Sequence, residues 1–375
     1  MTVTLPVRTP TPVDADRRDI VLAASVTLRL IGAGPADRAA VEAQFGPSRP
    51  SADGPADLTI RYVEQLDVGH PFTYVGPGEA GYGPDGFVVL RGRFRRQVRV
   101  LLPLADLGRP CEVVCEHGVG RVPHLVALVN LAVLANGGVA LHASAFELDG
   151  TAAIATGWSK GGKSEALLAF CQRGSRYVAD EWVHLHADGR ASGIHEPVRV
   201  WDWYLDQSPG ARERVDAGDR RRLAALRLAS GAATVGRGSA RLRTAIDRHR
   251  FVDAPVEVVA PHGRVDEPLP VGRTYLMSST PGPDTTLRLV SGTEVADRMA
   301  ASLAYERAPL RDLVDAFRYA LPSEAVADLD AVSGLERERL RRLLGDVPTA
   351  EVRHPYPASL DALHEAMASD PEHWR

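Results

Sequence analysis

Apolar and polar positions change their period along this chain. Between residues 21 and 120 they alternate or run in short apolar blocks. The segments SVTLRL (25–30), DLTIRY (57–62) and QVRVLL (97–102) read as half-buried strands, and Phe87–Leu90 as a short apolar one. Gly and Pro clusters at 76–86 punctuate them. The pattern predicts a β-rich N-terminal subdomain over 21–120. The Pro-, Thr- and Asp-rich stretch at 1–20 reads as a disordered lead-in.

A helix is expected over Pro123–Asn136. Its apolar residues cover most of its circumference, so it should be buried, with Asn136-Gly137-Gly138 as its stop. Val139–Glu147 reads as a strand, Asp149-Gly150 as a hairpin turn, and Thr151–Thr156 as a short buried strand. A helix follows over Lys163–Arg173 with Gly174 at its end, then a strand at Tyr177–Ala179 that ends on Asp180-Glu181. From 291 onward the period is helical. Ser291-x-x-Glu294 and Ser333-x-x-Glu336 resemble capping boxes, and Pro309 and Pro322 divide the helices. The expected organisation is thus an α/β core over 121–290 and a helical C-terminal region over 291–375.

Composition narrows the class. The 375 residues are 45% hydrophobic and 25% charged, with a net charge of −4, as in an ordinary globular protein with no global bias toward nucleic acid or anionic membranes. No stretch approaches the ~20 apolar residues of a membrane span. The three cysteines suggest a reducing, cytoplasmic setting. Cys111 and Cys115, with His117 two residues on, are half a zinc site at best and read better as strand cysteines on one face. Residues 211–250 carry 11 arginines against four acids, which reads as a solvated helix face or as a surface for an anionic ligand.

The cations carry the sharpest signal. Of 44 basic residues only two are lysines, Lys160 and Lys163, and both lie in Gly157-Trp158-Ser159-Lys160-Gly161-Gly162-Lys163-Ser164. This is G-x-x-x-x-G-K-S, the phosphate-cradling loop. Glycines let backbone amides approach an anion, the following helix presents its positive end, the lysine neutralises β/γ-phosphate charge, and the serine hydroxyl ligates Mg²⁺. The required context, an apolar strand before and a helix after, is predicted here. Asp180 closes a strand soon after the loop helix, where a carboxylate holds Mg²⁺ or takes a proton from an attacking hydroxyl. His142 lies in the strand that pairs with the one feeding the loop.

Together these spacings resemble the HPr kinase/phosphorylase family. Its core reads roughly His-Gly, a strand, G-x-S-G-x-G-K-S-E, a helix, then Val-Ala-Asp-Asp. The counterparts here are Leu141-His142-Ala143, the loop followed by Glu165, and Tyr177-Val-Ala-Asp-Glu181. The match is specific over about 137–186. The flanks look more like the HPr-kinase-like proteins of peptide-modifying gene clusters than like the metabolic regulator. The resemblance implies a P-loop fold with a mixed sheet, shared with phosphoenolpyruvate carboxykinases. It implies ATP bound by Gly157, Ser159, Lys160, Gly161, Gly162, Lys163, Ser164 and Glu165. It further implies Asp180 as general base with His142 behind it, and Mg²⁺ held by Ser164 and Glu181.

Three positions depart from the family pattern. Asp-Asp is Asp180-Glu181. Lys160 stands where the family has Gly, and either reaches the γ-phosphate or acceptor or lies in solvent. The later Glu-rich signature is missing, with Glu196-Pro-Val-Arg199 its nearest counterpart. That absence argues against reversible phosphorolysis and against HPr as substrate. Trp201, Trp203 and Tyr204 read as core, or alternatively as a pocket wall.

The resulting expectation is an Mg-ATP-dependent kinase that phosphorylates a hydroxyl on a peptide, a protein or a small molecule. Nucleic acid and membrane partners are not expected; homo-oligomers are compatible with it. One of Arg237, Arg241, Arg243 or Arg248 would stabilise the transferring group. The alternatives are a nucleotide-binding regulatory or assembly protein with at most slow hydrolysis, and a carboxykinase-like enzyme, for which the chain offers no third lysine.

Overall fold

The computed structural model describes residues 16–22, 26–70, 72–76, 78–91, 97–194, 196–232 and 239–368. It is a mixed α/β protein with two large mixed sheets and a set of C-terminal helices. The first sheet holds β1 (Arg17–Leu22), β2 (Val26–Ile31), β3 (Arg49–Pro50), β4 (Leu58–Val63), β5 (Thr73–Val75), β6 (Ala80–Gly83), β7 (Gly86–Arg91), β8 (Val98–Leu101) and β9 (Cys111–Glu116). Their spatial order is β3-β1-β2-β4-β9-β8-β7-β6-β5, with β2, β4 and β9 parallel. Helix α1 (Pro35–Phe45) links β2 to β3. The alternation in β4 is strict: Leu58, Ile60 and Tyr62 are buried and the residues between them half-buried.

The stretch read as a disordered lead-in is corrected at its end. Arg17–Leu22 is a strand, because Ile20 and Leu22 enter the core of the first sheet and β1 pairs with β2 along its whole length. Residues 1–15 of that stretch lie outside the described residues, as does Ser25 at the start of the next predicted strand. Helix α2 (Leu125–Ala135) packs its apolar surface into the same core.

The second sheet carries the loop. Strand β10 (Val139–Leu148) turns at Asp149 and Gly150, both with positive φ as a two-residue hairpin requires, into β11 (Thr151–Gly157). Helix α3 (Lys163–Cys171) follows, then β12 (Tyr177–Ala179), β13 (Trp182–Leu185) and β14 (Arg190–Gly193). A two-stranded excursion, β15 (Val198–Trp201) with β16 (Phe251–Ala254), brackets α4 (Asp202–Gln207), α5 (Pro209–Arg214), α6 (Ala217–Ala232) and α7 (Ser239–Asp247). After α8 (Val256–Val259), β17 (Leu269–Ser279) returns to the sheet. It pairs with β14 at its start and then runs parallel to β11, so that β11, β10, β13, β14 and β17 pair in a closed circuit.

Strand β18 (Thr286–Leu289) and helices α9 (Gly292–Glu306), α10 (Ala308–Ala320) and α11 (Leu329–Leu344) come next. The stretch read as purely helical from 291 also holds a strand, β19 (Thr349–His354), before α12 (Leu360–Ala368). β19 lies parallel to β17, and all of its residues except Arg353 are buried. Successive β11 residues face two cores: Ala153 and Ala155 meet the α3–α12 side, Ala152 and Ile154 the α9–α11 side. Ser291 caps α9 by accepting from the Glu294 amide, as its motif predicts. Ser333 does not cap α11. Asp328 does so, accepting from the amides of Asp330 and Ala331, while Ser333 lies a turn inside and accepts from Arg307.

Among the described residues, no helix is long and apolar enough to cross a membrane.

Candidate functional site

The glycine-rich loop spans the tip of β11 and the first turn of α3. Gly157 has φ 150, and a Cβ there would lie 2.5 Å from the Met277 carbonyl oxygen of neighbouring β17. Gly162 has φ 104, and a Cβ would lie 2.2 Å from His354 Nε2. Both positions therefore require glycine. Trp158, Ser159 and Lys160 stand exposed at the crest, while Gly161, Gly162 and Lys163 are buried. Trp158 packs against Tyr305 with ring centroids 4.9 Å apart. Lys160 holds a left-handed φ of 62 and forms no ion pair among the described residues.

Helix α3 begins at Lys163 with its unbonded amides facing the loop, a ready anion site. Its first carbonyl is bonded by the buried Ser144 hydroxyl of β10 at 2.6 Å, which fixes the helix against the sheet. Lys163 is 7% exposed and donates to the Trp158 carbonyl oxygen at 3.1 Å. Burial lowers its pKa, and the carboxylates of Glu181, Asp180, Glu306 and Glu165 oppose that shift. Glu165 sits in the first turn of α3, where burial raises its pKa.

Asp180 and Glu181 diverge. The Ser164 hydroxyl donates to Asp180 at 2.9 Å (Oδ1), with Oδ2 at 3.2 Å. Burial, and after it the neighbouring Glu181, pushes the Asp180 pKa up to about 7. Glu181, between β12 and β13, holds a left-handed φ of 67, and its carboxylate takes a different partner from that of Asp180. Glu181 Oε2 lies 3.1 Å from His142 Nε2. That bond, then the charges of Lys163 and Arg199, hold the Glu181 pKa below its ordinary value against the effect of burial.

The expectation that His142 supports Asp180 is therefore corrected: its partner is Glu181, and Ser164 bonds Asp180. The imidazole is held by a second acid as well. Glu306, the last residue of α9, brings Oε1 to 2.8 Å from His142 Nδ1, an ion-pair distance out of line for a hydrogen bond. Trp182 stacks on the ring at 5.5 Å.

Two residues here had no sequence signal. Glu306 ends a helix far along the chain and belongs to no motif. His354, at the end of β19, is fully buried with Nε2 2.8 Å from the Gly161 carbonyl oxygen and Nδ1 2.8 Å from that of Pro355. It braces the loop from beneath. Only the parallel β17–β19 pairing delivers it there.

Other candidates fall elsewhere. Arg243 pairs with Asp247 in its own helix, α7 packs on α6, and Arg237 lies outside the described residues. The charge of Arg199, in β15, reaches Glu181. Glu196 accepts from Gln44 at 3.0 Å. Tyr204 is core, Trp203 packs against that core, and Trp201 stands against Phe251. Cys111 and Cys115 are free thiols of β9 pushed up to about 12 by burial, and His117 Nδ1 lies 2.7 Å from Asp37.

For Mg²⁺, the Ser164 hydroxyl and the adjacent carboxylates are hard oxygen donors of the required kind. Burial disfavours an ionised Asp180, and a dication beside it would offset that cost. Among the described residues no group of three or more acids, histidines or cysteines is arranged to hold a metal, whereas Mg²⁺ characteristically takes one or two carboxylates and completes its shell with water and substrate phosphates.

No protein-family model matches this chain, and a search of curated proteins likewise returned no match.

Proposed function

We propose that the protein is an Mg-ATP-dependent phosphotransferase that acts on a hydroxyl acceptor, with an HPr-kinase-like P-loop core. The observation that carries this reading is the Ser164–Asp180 hydrogen bond at the head of α3, next to a buried lysine and opposite an acid–histidine–acid group. A loop that only binds phosphate needs the first part. The second part supplies what group transfer adds, a positioned proton acceptor.

The loop amides, the α3 terminus and Lys163 bind the triphosphate. Ser164 and Asp180 would hold Mg²⁺, which would supply charge neutralisation for the phosphates. The geometry favours this over the pairing of Ser164 with Glu181 that the family resemblance implies. Glu181 then accepts the acceptor's proton, oriented by His142, which Glu306 and Trp182 hold in turn. The acceptor oxygen bonds to the γ-phosphorus, the bridge to the β-phosphate breaks, and ADP leaves with the electron pair.

The test is transfer of the γ-phosphate from Mg-ATP into a panel of free alcohols, serine and short peptides, read by mass spectrometry. A gain of one phosphoryl group on an acceptor is expected. Tight ATP binding with no labelled acceptor would instead favour a nucleotide-binding regulatory protein.

A further inference from the structure

We propose that the groove between α4–α5 and α6 docks an acidic peptide through one apolar side chain of leucine or phenylalanine size. The proposal is independent of the phosphotransferase reading. The groove has a volume of ≈ 330 Å³ and is lined by residues of these three helices alone. Leu205 and Leu223, both buried, and Ala224 and Leu228, both exposed, make its aliphatic lining. An apolar cavity of about 150 Å³ is large enough for benzene, so a leucine or phenylalanine side chain fits here. The helices themselves lack the packing that usually holds a helix. α6 runs for 16 residues but buries only Leu223 and Ser230, and none of the described α7 side chains is buried. Leu228 is left 76% exposed at the wall of the groove.

The charge around the groove sets the sign of the partner. Arg212, Arg220 and Arg227 line it together with Asp202 and Asp206. Arg227 bonds both acids and Arg212 lies 3.5 Å from Asp206, so these charges are largely matched. The charge of Arg220 is not. Its guanidinium donates to the carbonyl oxygens of Arg212 and Glu213, and it forms no ion pair among the described residues. Arg221, exposed beside it, forms none either. With 11 arginines against four acids over 211–250, in a chain of net charge −4, the surplus is local. Carboxylates next to an apolar anchor complement both features. None of the lining residues is aromatic, so no ring there stacks a nucleobase. A concave groove of this size also suits a single side chain better than a flat lipid surface.

Three dye-labelled peptides test this with the full chain by fluorescence anisotropy: Glu-Glu-Phe-Glu-Glu, Glu-Glu-Ser-Glu-Glu and Lys-Lys-Phe-Lys-Lys. The acidic phenylalanine peptide is expected to bind about ten-fold or more tightly than the acidic serine peptide, because it alone buries a large apolar side chain. The lysine peptide should not bind, and salt should weaken both acidic peptides. Ala224→Trp, which fills the groove from α6, is expected to bring the two acidic peptides within about two-fold of each other. Leu228→Asp gives the same readout should Ala224→Trp fail to fold. Arg220→Glu with Arg221→Glu should weaken both acidic peptides about five-fold or more. Arg49→Glu with Arg342→Glu makes the same charge change at exposed positions of β3 and α11 and should leave binding unaltered. Absence of binding, equal affinity for the two acidic peptides, or equal weakening by the β3–α11 pair overturns the proposal. So does tighter binding of a single-stranded oligonucleotide or of phosphatidylserine vesicles through Arg220 and Arg221. Self-association of the chain that Leu228→Asp abolishes would show a second copy on the groove, and overturns it too.

Discussion

The Ser164 hydroxyl donates to Asp180 at 2.9 Å, tying the first turn of the loop helix to the strand end after β12. Neither residue is positioned by its near neighbours in sequence. Ser164 is placed by α3, which the Ser144 hydroxyl holds to β10, and Asp180 by the pairing of β12 with that same strand. One strand thus sets both halves of the proposed Mg²⁺ site. Its His142 faces Glu181, so it also orients the acid on the other side.

Asp180 makes the Mg²⁺-free protein sensitive to pH. Its carboxyl is raised from 3.8 to about 7, chiefly by burial, so the folded chain holds that proton more tightly than the unfolded chain. The resulting stability is fully present below the ordinary carboxylate pKa and is lost as pH rises to about 7. Asp180→Asn does not ionise. It is expected to raise Tm at pH 8, by an amount on the order of a few kcal/mol in stability, and to change little at pH 4. Thermal melts at the two pH values check this; an equal shift at both contradicts it.

The two acids are expected to fail differently. Asp180→Asn should raise the Mg²⁺ concentration needed for half-maximal activity by about ten-fold or more. Glu181→Gln should leave that requirement near the wild-type value and lower kcat by about 10²-fold or more. Mg²⁺ titrations of both variants decide the assignment, and the reverse pattern would return the base to Asp180.

Gly162→Ala is expected to damage loop and fold together. Its φ of 104 disfavours any Cβ, and the atom in the way, His354 Nε2, has little room to yield because the ring is fully buried with each nitrogen 2.8 Å from a backbone carbonyl oxygen. The cost should be about 1–3 kcal/mol of stability with a marked loss of ATP affinity. Gly174→Ala is the control: its φ is 112, but nothing lies within 4 Å of the added Cβ, so ATP affinity should hold. Calorimetric ATP titration separates the two.

At the start of α10, Arg307 forms a buried two-point ion pair with Glu336 of α11, at 2.5 and 2.9 Å. Arg307→Ala leaves the Glu336 carboxylate buried without its partner and should destabilise the protein by about 3–5 kcal/mol. Urea unfolding of the variant measures this. A loss below ~1 kcal/mol would mean that water replaces the guanidinium.

Local signals in the sequence read correctly where neighbours determine the structure. The Asp149-Gly150 turn, the strand into the loop and the helix out of it need only short-range sterics and period. Glu306 and His354 were not legible for the opposite reason. Each ends an element whose own pattern is ordinary, and only the packing of α9 and the β17–β19 register brings it to the loop; His354 and Gly161 are 193 residues apart. Ser333 shows a motif overruled by tertiary structure: a better cap stood upstream at Asp328, and Arg307 took the serine hydroxyl. Within the Asp180–Glu181 pair, the partner of His142 was not legible. Sequence spacing does not say which of two adjacent acids meets His142; the pairing of β10 with β12 and β13 brings Glu181 there, with a left-handed backbone at Glu181 that no residue-type signal announced.

The central claim is that Lys163 serves transfer of a phosphoryl group to a hydroxyl. The most direct measurement follows ATP labelled with ¹⁸O in its γ-phosphate by mass spectrometry, with wild-type protein and with Lys163→Arg. Lys163 donates to the Trp158 carbonyl oxygen as a compact ammonium, and the broader guanidinium is not expected to reproduce that geometry. Label in a phosphate ester of the acceptor with wild-type protein, and none with Lys163→Arg, is the expected result. Label found only in inorganic phosphate, or in the ester equally with both proteins, would contradict the account.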